Sequence, residues 1–260
     1  MSMNLEEFLA YLVSSPSYNS QISHIEHIPS RPSADGELEK ALKAIYRTPV
    51  RAIPSGRTDA GVHARYQVAH FDPPAELQKF NPKAALNSLL PPDIRIRDFC
   101  YREQDFHARY SAKERRYRYL IRLEESALDR ERVWQLFRPL DFATLQACAA
   151  LLPGEHDFTS FCSAQAEVEH KRCMIHHSLW QRNDGQLIYD IHGNRFLHSM
   201  VRSLVGTMVE AARGNTGSRD FQRILEAKDR LAGAVSAPPQ GLYLMYVAYD
   251  PPLEWEKESV

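Results

Sequence analysis

Residues Arg115 to Leu123 read RRYRYLIRL, and the alternation is strict. Tyr117, Tyr119, Ile121 and Leu123 share one face of an extended chain, while Arg116, Arg118 and Arg122 fall on the other. This predicts a strand with one face toward a core. The surrounding segments alternate between short strands and amphipathic helices. Upstream, GELEKALKAIY places Leu38, Leu42 and Ile45 on one helical face, with Ser33 or Asp35 as the cap. VRAI and QVAHFD read as strands entering and leaving a loop, and Asn81-Pro82 starts the helix KAALNSLL, which Pro91-Pro92 stops. IRIRDFCY alternates as a strand.

Downstream the mixture repeats. DFATLQACAALL is a helix capped by Asp141, and QLIYDIHG is a strand after the Asn183-Asp184-Gly185 turn. RFLHSMVRSLVGTMVEAAR reads as one long helix, followed by the helix SRDFQRILEAKD and the strand GLYLMYVAYD. Strands separated by helices, twice over, predict an α+β protein of two sheet-plus-helix halves. The halves are expected over residues 1–105 and 106–260.

A chain of 260 residues that is 43 % hydrophobic can bury a sizeable core without disulfides. Cys100, Cys148, Cys162 and Cys173 form no CxxC pair, so a reducing compartment is the simpler reading. Glu6 and Glu7 stand where a signal peptide needs basic residues, and LEEFLAYLV is too short to span a bilayer. A cytoplasmic protein with no membrane partner is expected. The net charge of −1 gives no global basic field, so any nucleic-acid surface must be local. His107 to Arg122 supplies one: Arg109, Lys113, Arg115, Arg116, Arg118 and Arg122 against the single acid Glu114, with tyrosines interleaved. Cations for phosphates and rings for bases are what single-stranded nucleic acid needs, although such a run also suits a solvated face.

The segment SGRTDAGVHARYQVAHFD, Ser55 to Asp72, crowds Arg57, Thr58, Asp59, Gly61 and His63 into one turn. In a purely structural turn Asp59 bonds nearby backbone N–H groups and Gly61 takes a positive φ. In a reactive one Asp59 is a nucleophile or general base on a rigid loop, with Arg57 as an anion partner. Spacing alone leaves both open. On the long helix, Arg195, His198 and Arg202 fall three and four apart as a basic stripe, and Arg202, inside FLHSMVRSLVG, wants a carboxylate partner. No HExxH, P-loop, GxGxxG or GxSxG pattern is present, which leaves zinc peptidase, nucleotide-hydrolase, dinucleotide-redox and serine-hydrolase chemistry without support. A metal-dependent hydrolase using Asp59 and His63 is a weak rival.

GRTDAGVHA resembles the catalytic loop of the TruA-type tRNA pseudouridine synthases. FHARYSAKERRYRY, GEHDFTSF, FLHSMVRSLVGTM, AKDR and GLYL follow in that family's order, from about Ser33 to Pro251. The resemblance implies two α+β halves flanking a cleft, and a homodimer that isomerises uridine to pseudouridine at positions 38 to 40 of the tRNA anticodon arm. It implies no cofactor and no metal. Asp59 would be the catalytic carboxylate and Tyr117 would stack on the target base. Arg202 would pair with Asp59, Arg57 would help hold the flipped nucleotide, and Leu242 would line the pocket. The family's opening strand, with its Tyr-x-Gly … Gly-Trp-Gln signature, has no counterpart in residues 1–32. The first sheet is therefore expected to lack a central strand or to use an unfamiliar one. An RNA-binding protein with impaired catalysis is the alternative.

Overall fold

A computed structural model of the chain describes residues 20–27, 34–74, 81–103, 105–163, 170–214, 217–232 and 234–255. Ten strands join in one sheet, in the order β4-β1-β3-β10-β5-β9-β8-β7. The strands are β1 (Ser20–His27), β3 (His63–Phe71), β4 (Ile94–Arg102), β5 (Ala112–Arg122), β7 (Gly154–Asp157), β8 (Arg172–Asn183), β9 (Gln186–Gly193) and β10 (Leu242–Tyr249). Two-residue strands β2 (Ile53–Pro54) and β6 (Trp134–Gln135) flank β3 and β5. The helices are α1 (Ala34–Tyr46), α2 (Lys83–Leu89), α3 (Phe142–Ala150), α4 (Met200–Arg213) and α5 (Gly217–Ala227).

The strand missing from the sequence signature is β1. It runs antiparallel to both β3 and β4, so the first-half strands have a centre. Its Ser23 and Ile25 are buried. Residues 1–19 and 28–33, with LEEFLAYLV and the cap candidate Ser33, lie outside the described residues. Asp35 sits inside the first turn of α1 and is not its cap. Asn81 does serve α2, its Oδ1 accepting from the Lys83 N–H at 3.0 Å.

Two cores follow from the helix faces. Leu38, Leu42 and Tyr46 of α1 meet Leu86, Phe71, Phe99 and Ile96 over the first-half strands. Helices α3, α4 and α5 cover β5, β8 and β9, where Tyr119, Ile121, Trp180, Tyr189, Met208 and Phe221 are all buried. The alternation read in β5 is realised, since Arg118 on the opposite face pairs with Asp190 of β9 at 2.8 and 3.0 Å. Asp141 caps α3 as expected, accepting from Ala143 N–H at 3.1 Å.

Two expectations need correction. VRAI is not a full strand; only Ile53 and Pro54 pair, with Ala69 and His70 of β3. The long helix begins at Met200, because Ser199 takes a left-handed φ of 60°. Residues 195–199 therefore form an approach segment, and Arg195, His198 and Arg202 are not one helical stripe. The strand that joins the two groups is β10. It pairs parallel with β3 through Tyr243 and Leu244, and antiparallel with β5 along Leu242 to Tyr249.

Candidate active site

The Asp59 turn is set by its backbone. Val62 N–H bonds the Asp59 carbonyl at 3.0 Å, and Gly61 takes φ +89°, a region where a β-carbon is strained. A Cβ there would also lie 2.7 Å from Pro239 Cγ, so the turn presses against the segment entering β10. His63 then starts β3 under Tyr243, rings stacked at 4.5 Å, with Nε2 3.0 Å from the Glu131 carbonyl. His63 is thus a packing residue, and burial lowers its pKa.

This turn presents Asp59 to the approach segment and first turn of α4. The Arg202 Nη1 donates to Asp59 Oδ2 at 2.6 Å, and Ser199 Oγ donates to the same oxygen at 2.8 Å. His198 Nε2 lies 3.0 Å from Oδ1. The structural turn with a self-bonded carboxylate is therefore not what forms: the side chain reaches across the molecule. Arg202 is itself held, its Nε donating to the Ala237 carbonyl at 2.8 Å. The Asp59 side chain is 14 % exposed and Arg202 19 %, whereas His198 is 44 % exposed. Two donors on a fixed helix end thus saturate Oδ2, and the more exposed imidazole covers Oδ1. A charge-assisted bond of this kind in a half-buried site is strong, and it offsets the cost of keeping a carboxylate from water.

Tyr117 stands on the same face of β5 as buried Tyr119, edge-on to Phe196 with centroids 5.1 Å apart. Burial pushes its phenol up to about 12, the Arg115 charge opposing this and the Asp59 charge adding to it. The hydroxyl is therefore neutral at physiological pH. Leu242 is buried at the start of β10 opposite Tyr119, and Leu244 lies opposite Tyr117.

Asp59 and Arg202 are thus brought together, while Tyr117 meets Phe196 and lies across the sheet from Leu244. Arg57 does not join Asp59: it is exposed, and its charge acts on the carboxyl of Asp35 in α1. Ser199 and His198 are the members that sequence reasoning missed. A Ser directly before an apolar helical run is a start signal, and it could have located Ser199 at the helix end. Nothing local could show that the residue faces a carboxylate from position 59.

Among the described residues no three His, Cys, Asp or Glu side chains are grouped to hold a metal ion. No described helix is long and apolar enough to cross a membrane. The four cysteines are buried and form no disulfide with one another.

A family model described as tRNA pseudouridine synthase matches residues 148–250. The tRNA pseudouridine synthase A of Exiguobacterium sibiricum is 42 % identical over 82 % of this chain and 85 % of its own. Its namesake in Geobacillus sp. is 41 % identical, covering 85 % of this chain and 91 % of the relative. That of Halalkalibacterium halodurans is 42 % identical over 82 % of each. With such identity across most of both chains, and a fold that brings FLHSMVRSLVGTM to the carboxylate of GRTDAGVHA, the chain belongs to the tRNA pseudouridine synthase family.

Proposed function

We propose that this isomerase converts uridine to pseudouridine in the tRNA anticodon arm, at positions 38 to 40, with Asp59 as its reactive carboxylate. The observation that carries the reading is the arrangement around Asp59: one oxygen held by Arg202 and Ser199, the other under a half-exposed His198. The sequence motifs shared in order support the choice of substrate arm.

The reaction breaks the bond between ribose C1′ and N1, turns the base, and joins C1′ to C5. A proton leaves C5 and one arrives at N1, so no atom is gained or lost. No redox partner, ATP or outside water enters that balance. The carboxylate has three routes open to it: attack on C1′, attack on C6 of the base, or abstraction of a ribose proton. Each needs an ionised Asp59, and the Arg202 guanidinium donates to its Oδ2 at 2.6 Å. Extruding the base from a stacked arm costs a few kcal/mol. Stacking on Tyr117 returns roughly 1–3 kcal/mol. Arg57, exposed beside the turn, is suited to holding a phosphate of the displaced strand, and Leu242 closes the floor behind Tyr119. Asp59 and Arg57 come from the half spanning residues 1–105, and Tyr117, His198, Ser199, Arg202 and Leu242 come from 106–260.

The test uses tRNA carrying tritium at C5 of the anticodon-arm uridines, since isomerisation releases it. Asp59→Ala and Asp59→Asn should bind tRNA and release nothing above background. Turnover in either variant overturns the assignment. Binding without turnover in the unaltered chain would instead favour an RNA-binding protein on the same scaffold.

A further inference from the structure

Arg115 is 9 % exposed, and the partners it shows are all backbone carbonyls. Its Nη1 donates to the carbonyls of Ala112 at 3.0 Å and Asn194 at 2.9 Å. Its Nη2 donates to Ser55 at 3.0 Å and to Arg109. A buried cation without a carboxylate is costly, so its place needs a reason.

The reason lies in where the four carbonyls come from. Ser55 is the base of the Asp59 turn. It is anchored within its own half, its N–H on Val68 O at 2.7 Å and its Oγ on Gln67 Oε1 at 2.5 Å. Asn194 begins the approach segment that delivers His198 and Ser199. It is anchored to β8, giving its N–H to Met174 O and accepting from Met174 N–H. Arg109 and Ala112 belong to the turn before β5, held by Tyr249 Oη on Ala108 O and by Ala108 N–H on His70. One planar guanidinium thus ties the root of the carboxylate turn to the root of its donors' segment.

We propose that Arg115 is a positioning residue for the reaction, one that fixes the Asp59 turn against the His198–Ser199 segment. It acts through the backbone of both and touches neither the carboxylate nor the substrate. The inference rests on the reading of Asp59 as the reactive group. Lysine keeps the charge but offers a compact ammonium, which cannot reach carbonyls on opposite sides as a guanidinium fork does.

The experiment is a double-mutant cycle of Arg115→Lys with Ser199→Ala, read in kcat, in KM for tRNA and in the melting temperature. Arg115→Gln runs in parallel as a neutral two-donor variant, in case the lysine form does not fold. Misplacement by about an ångström costs on the order of 100-fold in rate. Arg115→Lys should therefore lose about that much kcat, with KM changed less than about threefold. Ser199→Ala should cost little more in the Arg115→Lys background, because its contact is already lost. Arg115 and Ser199 do not touch, so a merely structural role gives independent, multiplying losses. Multiplying losses in a folded variant, or unaltered kcat in Arg115→Lys, overturn the proposal. Asp59→Ala in the same assay separates the failures. If it retains turnover the reading of Asp59 falls, and if it is inert while the cycle multiplies, only the role of Arg115 falls.

Discussion

Replacing Gly206 by alanine should both destabilise the chain and cut its turnover. Gly206 lies in α4 against residues 234–238, and a Cβ there would sit 2.1 Å from Val235 O and 2.7 Å from Ala237 N. Both are backbone atoms, so the segment must withdraw by more than an ångström to reach ordinary contact. Several bonds then fail together: Ala237 N–H to Arg202 O at 2.9 Å, Val235 N–H to Thr207 Oγ1 at 3.2 Å, and Arg202 Nε to Ala237 O at 2.8 Å. Overpacking of this kind costs about 1–3 kcal/mol. Each lost hydrogen bond costs about 0.5–1.5 kcal/mol. Alanine returns about 1 kcal/mol of helix propensity over glycine. Mid-range values leave a net loss of about 4 kcal/mol, or a fall in melting temperature of roughly 8–16 °C for a chain of this length. Urea unfolding followed by circular dichroism measures the first quantity. Tritium release measures the second effect, since Arg202 loses the carbonyl that braces it. Gly56→Ala is the control: no atom lies within 4 Å of a Cβ there, and its stability should stay within about 0.5 kcal/mol of the parent. A Gly206→Ala chain as stable as that control refutes the steric reasoning. One that is destabilised yet fully active refutes the claim that the Ala237 brace matters to Arg202.

Tyr117→Phe keeps the ring and removes a hydroxyl that is neutral at working pH; turnover should persist if stacking is its whole role. A collapse of kcat with unchanged tRNA affinity would give the hydroxyl a part in the chemistry. Asp141→Ala removes the cap of α3, where Asp141 accepts from the Ala143 N–H and from Thr144 Oγ1. Stability should drop by about 1 kcal/mol in urea unfolding, with turnover unaffected. An unchanged unfolding midpoint would show that the cap contributes nothing. His70 accepts the Ala108 N–H on Nδ1 at 3.1 Å, and burial, with the His107 charge, lowers its pKa below the ordinary imidazole value. Its neutral form is the folded form, so its contribution is present above about pH 6.5 and is lost as pH falls from there toward the lowered value. His70→Gln should narrow the stability difference between pH 7.5 and 5.5, and parallel curves for the two chains would contradict this.

Local patterning made most elements legible. The two-residue period of β5 and the capped, apolar-striped helices α2 and α3 are decided by neighbours within a few positions. So is the need of Arg202 for a carboxylate, since an arginine among apolar residues is costly without one. What escaped depends on distant partners or on single dihedral angles. The left-handed turn at Ser199 moves the start of α4 by five residues relative to the sequence reading, and no periodicity announces it. The central strand β1 lacks the family's signature, yet the hydrogen-bonding demand of β3 and β4 is met by any extended segment that reaches between them. The approach of Ser199 and His198 to Asp59 spans some 140 positions of chain, which no window of sequence can contain. Arg57 is exposed, with its charge acting on Asp35, and position in a turn does not fix where so long a side chain points.

The placement of β10 bears on how the molecule is made. Strand β3 follows the Asp59 turn and β5 carries Tyr117, and what bridges them is a segment synthesised after both. On the ribosome the earlier strands can collapse in two separate sets, each with an unpaired edge, while the seam waits for residues 242–249 to emerge. A nascent chain therefore leaves β3 and β5 unbridged until residues 242–249 have left the ribosome.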